Sequence, residues 1–184
     1  MKKVVLATLL SLSFGVASAA DYVIDSKGAH ASVNFKVSHL GYSWLLGRFN
    51  TFEGTFNYDP AKIEESKVMV TIDTTSLDSN HAERDKHLKS DDFLDAGKFP
   101  KATFVSTKVA DQGNGKLVVT GDFTMHGVTK SISIDAQLVG AGEDPWGGYR
   151  AGFSGTTKIN MGDFNFKKNY GDVWLDLHIE GIRQ

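Results

Sequence analysis

The chain has 184 residues, no cysteine, 12 Phe, 5 Tyr and 3 Trp, and a formal net charge of −2 at pH 7. The missing cysteine excludes a disulfide framework, a thiol nucleophile and any cysteine-ligated zinc or iron–sulfur site. The near-neutral balance excludes the basic footprint of a nucleic-acid binder, and a 41% apolar fraction is too high for a disordered chain.

Met1-Lys2-Lys3 is a short cationic start, Val4 to Val16 an apolar run, and Ala17-Ser18-Ala19 a small-x-small cleavage site. These are the three regions of a secretory signal peptide. The run is shorter than the roughly 20 residues of a membrane-spanning helix. We therefore expect a leader over residues 1–19, cleavage near Ala19, a single domain over residues 20–184 and no stable membrane span. The short two-lysine start looks bacterial, which makes the periplasm the expected location.

Beyond the leader, apolar and polar residues alternate with period 2, the signature of half-buried strands. A short strand is expected at Asp21–Asp25. Ala31, Val33, Phe35 and Val37 then alternate with Ser32, Asn34, Lys36 and Ser38. The pattern returns at Phe52–Tyr58, Val68–Asp73, Lys101–Val109, Leu117–Met125, Ser131–Leu138, Tyr149–Ile159 and Val173–Glu180. Turn residues separate these runs, among them Asp59-Pro60, Gly113-Asn114-Gly115 and His126-Gly127. Short loops favour antiparallel neighbours, and one apolar face per strand implies one core. The fold class is all-β. About eight long strands, bent at Gly54, Gly121, Gly152 and Gly155, favour a closed antiparallel up-and-down barrel over a two-sheet sandwich.

One segment breaks the alternation. Ser79 to Ser90 reads as a charged helix, with Asn80 as its cap and Glu83 completing a capping box. A short turn follows at Asp91–Leu94, so a helical insertion is expected near residues 80–95. Lying over a barrel end, it is either a solvated connector or a cover whose His81, Arg84 and His87 meet a polar headgroup.

No phosphate-binding loop, dinucleotide fingerprint or nucleophile elbow is present. His81 and His87 fall on different helix faces, and no metal-ligand spacing occurs, so neither catalytic nor metal residues are assigned. The apolar strand faces either fill the barrel or leave room for one ligand. The residues expected to line it are Val33, Phe35, Val37, Phe52, Phe56, Val70, Ile72, Phe104, Phe123, Ile134, Leu138, Phe153 and Leu175. Gly54, Gly121, Ala151 and Gly155 on the same faces lean toward leftover room.

Several motifs together resemble the YceI-like family of small exported bacterial proteins. They are Val33-Asn34-Phe35, His39-Leu40-Gly41-Tyr42-Ser43-Trp44, and Asn80-His81-Ala82-Glu83-Arg84-Asp85-Lys86-His87-Leu88. Phe99-Pro100-Lys101-Ala102-Thr103-Phe104 and Asp144-Pro145-Trp146-Gly147-Gly148 with Arg150 complete the set. The resemblance implies an extended lipocalin-like barrel with a helical insertion and a hydrophobic tunnel for a polyisoprenoid or other amphiphilic lipid. It implies no catalytic residue and no cofactor beyond that bound lipid, and a homodimer is compatible with it. Headgroup contacts are then expected from Trp44, His81, Arg84, His87, Trp146 and Arg150 at a barrel mouth. Two other readings share the alternation: an enzyme acting on a lipid-like substrate, and an outer-membrane barrel, whose period-2 signal is the same.

Overall fold

The computed structural model describes residues 19–184. The leader, read over residues 1–19, lies outside the described residues except for Ala19. Eleven strands run in chain order: β1 (Ala20–Ile24), β2 (Ser32–His39), β3 (Ser43–Phe49), β4 (Phe52–Tyr58), β5 (Val68–Asp73), β6 (Leu77–Asp78), β7 (Lys101–Gly113), β8 (Lys116–Met125), β9 (Val128–Glu143), β10 (Tyr149–Asn160) and β11 (Asp172–Arg183). A helix, α1 (Ala82–Leu88), lies in the insertion between β6 and β7.

The pairing reduces these to eight long strands. β1 and β2 lie end to end along β11, which meets β1 over Gly181–Arg183 and β2 over Val173–His178. β1 pairs onward with β4 and β2 with β3; β4 pairs with β5 and β3 with β6. Thus β1/β2, β3/β4 and β5/β6 are each one strand interrupted along its length. β7 to β11 run unbroken, each antiparallel to the next. Over the described residues the result is a closed eight-stranded antiparallel barrel with one α-helix, sealed where the first strand meets the last.

The sequence reading did not include β3. Its inward residues Leu45, Gly47 and Phe49 alternate with Trp44, Leu46 and Arg48, which face out. Because Trp44 and Leu46 are themselves apolar, no polar face marks the strand. β9 also runs five residues past Leu138, to Glu143.

The helix is shorter than expected and is capped differently. His81, not Asn80, is the cap: its Nδ1 accepts from the Arg84 amide at 3.2 Å. Asn80 instead takes a left-handed turn (φ 60°), donating its amide to Asp78 Oδ1 at 2.8 Å. Asp85 accepts from the Ser79 amide at 2.8 Å and from its hydroxyl at 2.5 Å, which ties the helix to the strand before it. No residue of α1 is fully buried. These bonds and its flanks hold the helix, rather than a packed apolar face.

The in-strand glycines serve packing more than leftover space. A Cβ on Gly47 would lie 2.3 Å from Phe35 Cζ, one on Gly121 2.5 Å from Phe104 Cζ, and one on Gly181 2.5 Å from Phe56 Cε1. Each glycine gives its space to a phenylalanine from a nearby strand. Phe56 also stacks on Tyr22 at 4.9 Å and meets Phe153 edge-on at 5.6 Å. Ala151 is fully buried, and Gly54 backs onto the Met69 carbonyl and Ile24. Of the four positions expected to leave room, Gly155 alone borders a cavity.

Candidate functional site

The barrel interior holds two apolar spaces. The upper, of about 450 Å³, lies at the helix end. Strands β2, β3 and β11 supply Phe35, Val37, Leu45, Phe49, Val173 and Leu175; the insertion supplies Arg84, His87, Leu88, Phe93 and Leu94. Met125, Ile159, Met161, Phe166 and Tyr170 also line it, with His39 and Leu40 at its rim. The lower space, of about 140 Å³, lies at the other end, between Val33, Phe56, Val70, Ile72, Phe104, Phe123, Ile134, Phe153, Leu175 and neighbours. Leu175 borders both and stands between them. The upper volume falls within the roughly 300–1,000 Å³ of ordinary small-molecule sites. The lower is comparable to apolar cavities that stay dry and accept a benzene-sized guest.

The upper mouth is spanned by a clasp. On one side is the stretch after α1, with Asp91, Asp92 and Phe93; on the other is the β10–β11 loop, with Lys167, Lys168 and Tyr170. Lys167 pairs with Asp91, and Lys168 Nζ with Asp92 at 2.7 Å. The Lys168 amide donates to the Asp92 carbonyl at 3.1 Å. Asp92 Oδ2 also lies 2.9 Å from His87 Nε2. Phe93, buried, stacks on Tyr170 at 5.9 Å and meets His87 edge-on at 5.0 Å. The bonds from Lys168 and then His87 hold the Asp92 carboxyl below its usual range; Lys167 does the same for Asp91. Arg84 lines the cavity, but its guanidinium is committed to Ser79, donating through Nε to Oγ at 2.7 Å and through Nη2 to the carbonyl at 2.5 Å. No Asp or Glu lines either space among the described residues.

The expected headgroup set therefore divides. Arg84 and His87 reach the upper cavity, whereas His81 is an exposed helix cap. Trp44 faces outward on β3, edge-on to Trp174 at 5.0 Å and under Lys36 at 4.9 Å. Trp146 and Arg150 belong to the β9–β10 hairpin at the opposite end of the barrel. Of the expected lining, Val33, Phe35, Val37, Phe56, Val70, Ile72, Phe104, Phe123, Ile134, Phe153 and Leu175 border one or both spaces. Phe52 and Leu138 pack into the core and border neither. Leu45 and Phe49 were missed with β3 itself. Phe93, Leu94 and Tyr170 lie in turns, where no periodicity marks an inward side chain.

Arg150 has a different task. Its guanidinium donates to Asp25 Oδ2 at 2.7 Å, Glu180 Oε1 at 2.5 Å and Asp144 Oδ2 at 3.0 Å. Asp25, 8% exposed, also accepts from the Gly28 amide at 2.8 Å, and His30 Nδ1 lies 3.1 Å from it. Arg150, then His30 and Gly28, hold the Asp25 carboxyl down to about 2. The three carboxylates raise Arg150 above its already high value. Asp25, His30 and Glu180 come close enough to suggest a cation site. The guanidinium among them already supplies the positive charge. This cluster fastens the β1–β2 break to β10 and β11.

The architecture is a closed lipocalin-like barrel with an apolar interior that opens beside a helical insertion. The chain belongs to the YceI-like family: the model for the YceI-like domain matches residues 22–180. A UPF0312 protein of Vibrio parahaemolyticus (serotype O3:K6) is 61% identical over 189 residues, covering all of both chains. One from Shewanella denitrificans is 59% identical over 191 residues, again covering all of both. Among solved structures, BcnA of Burkholderia cenocepacia superposes with a TM-score of 0.77 at 25% identity, over 85% of this chain and 98% of that one. A polyisoprenoid binding domain from Saccharophagus degradans shares the fold (TM-score 0.64, 15% identity, 91% and 100% covered). Among the described residues no helix is long and apolar enough to cross a membrane.

Proposed function

We propose that this protein is a non-enzymatic carrier or store for an amphiphilic lipid of the polyisoprenoid class, held in the barrel interior and working in the periplasm. The observation that carries the reading is the 450 Å³ apolar cavity with its few polar groups confined to the mouth. Burying a hydrocarbon chain there gains about 0.8 kcal/mol per methylene. Arg84, His87 and His39 stand where a polar head would emerge. The polyisoprenoid binding domain of the same fold supports the choice of lipid. The signal-peptide pattern read in residues 1–19 supports export.

The test is extraction and mass spectrometry of the protein purified from its own host. A prenyl lipid is expected at close to one per chain. Val37→Trp, which fills the upper space, is expected to lower that content more than tenfold. An interior reproducibly empty, with no affinity for any prenyl lipid, would sink the proposal.

A further inference from the structure

The tips around the cavity mouth carry apolar side chains that folding does not account for. Along the β2–β3 hairpin, Leu40 is 71% exposed, Tyr42 87%, Trp44 51% and Leu46 64%; across the mouth, Tyr170 is 56% exposed. Isolated exposed apolar residues are ordinary, and Val139 and Trp146 are examples away from the mouth; Leu40, Tyr42, Trp44 and Tyr170 instead gather around it. Leu40 is also held in the left-handed region, φ 54°, next to Gly41 at φ 79°. Hairpin tips with that backbone favour Asn or Gly, and a leucine there is strained. Folding stability therefore supplies no reason for a leucine at this position.

Two of these side chains have a second property. Leu40 and Tyr170 line the upper cavity as well as facing solvent. The apolar surface of the rim is therefore continuous with the apolar interior. Behind the rim, Trp44 lies under the Lys36 ammonium at 4.9 Å, and Trp174 under that of Lys158 at 5.9 Å. Tyr, Trp and Lys in this order, behind an aliphatic tip, are the residue types that settle at the level of lipid headgroups.

We infer that the rim formed by the β2–β3 hairpin and the β10–β11 loop docks on a lipid bilayer surface and seats the cavity mouth on it. The inference rests on the lipid-binding reading. A bilayer fits better than a protein partner because the path it would complete is a hydrocarbon path. A lipid drawn between Leu40 and Tyr170 passes from acyl region to cavity without exposing its methylenes to water. Leu40 and Tyr42 would enter the headgroup–acyl boundary, and the clasp beside them would meet the headgroups.

The experiment is flotation of the purified protein with vesicles of phosphatidylcholine alone and of phosphatidylcholine mixed with phosphatidylglycerol. Sedimentation of the protein alone and lipid content by mass spectrometry accompany it. The wild type is expected to float with at least one composition. Leu40→Asn with Tyr42→Ser is expected to weaken that partition at least tenfold. Asn suits the left-handed turn, so the thermal midpoint of the variant is expected not to fall on that account. Trp146→Ser, which removes an apolar residue 75% exposed at the far end, is expected to float as the wild type does. Wild-type protein that carries lipid yet floats with neither composition would overturn the inference and leave the binding proposal standing. Undiminished flotation of the double variant would overturn it too. So would a wild-type dimer that the double variant dissociates, since a second copy would then cover the rim. An empty protein that acquires no prenyl lipid from the same vesicles doped with one would instead strike at the binding reading itself.

Discussion

Arg150→Met tests the electrostatic fastening of the barrel at the end away from the cavity mouth. The substitution keeps much of the side chain's length and removes three charge-assisted hydrogen bonds of 2.5–3.0 Å. Asp25, 8% exposed, then keeps the Gly28 amide and the half-exposed His30 but no permanent cation. Removing one partner of a buried ion pair costs about 3–5 kcal/mol. Glu180 is a third exposed and can return to water, which sets the expectation near the lower end, about 3 kcal/mol. At roughly 2–4 °C per kcal/mol for a domain of this size, the thermal midpoint near neutral pH should fall by about 6–12 °C. Circular dichroism melts across pH add a second readout. Asp25 titrates at about 2 when folded, below the roughly 3.9 of an unfolded aspartate. Its contribution is thus complete above about pH 4 and is lost as pH falls toward 2. The gap between wild type and variant should therefore narrow across that window. A midpoint drop under about 2 °C, or a gap that stays constant into acid, would refute the reasoning.

Two further outcomes follow from the packing and the clasp. Gly121→Ala places a Cβ 2.5 Å from both the Val105 carbonyl and the Phe104 ring, and the backbone oxygen cannot rotate away. Urea unfolding should show a loss of about 1–3 kcal/mol, and an unchanged midpoint would contradict the close approach. Asp91→Asn with Asp92→Asn breaks both ion pairs of the clasp; because such solvent-facing pairs contribute little, the thermal midpoint should barely change. Release of bound lipid to acceptor vesicles should nevertheless quicken several-fold, and raised salt should quicken the wild type in the same direction. Equal release rates would show that the clasp does not guard the mouth.

The barrel was legible in the sequence wherever one face of a strand is polar. Val33, Phe35 and Val37 against Asn34 and Lys36 announce an inward side without ambiguity. β3 went unread because Trp44 and Leu46 give its outer face the same apolar character as its inner one. That obscurity has a physical source in the residues the rim inference depends on, since a strand apolar on both faces carries no period. The helix was legible as charge, but its cap was not: Asn80 is the better capping residue by type, and Asp78 draws it into a turn instead. The mouth residues were the least legible. Arg84 and His87 were named for their chemistry and do reach the cavity. Arg150 was named for the same chemistry and lies at the opposite end, because nothing local in a sequence records which end of a barrel a hairpin occupies.

The seam between the first strand and the last bears on how the molecule is made. Every other pairing joins neighbours along the chain, whereas this one brings residues 20–37 to residues 173–183 and carries the largest loop-closure cost. Until it forms, the sheet is an open meander with two bare edges, the state most exposed to aggregation. Phe35 and Val37 meet Val173 and Leu175 only across this seam, so the upper cavity exists only once the final strand has docked. A guest can therefore bind only after this closure, by way of the mouth beside the helical insertion.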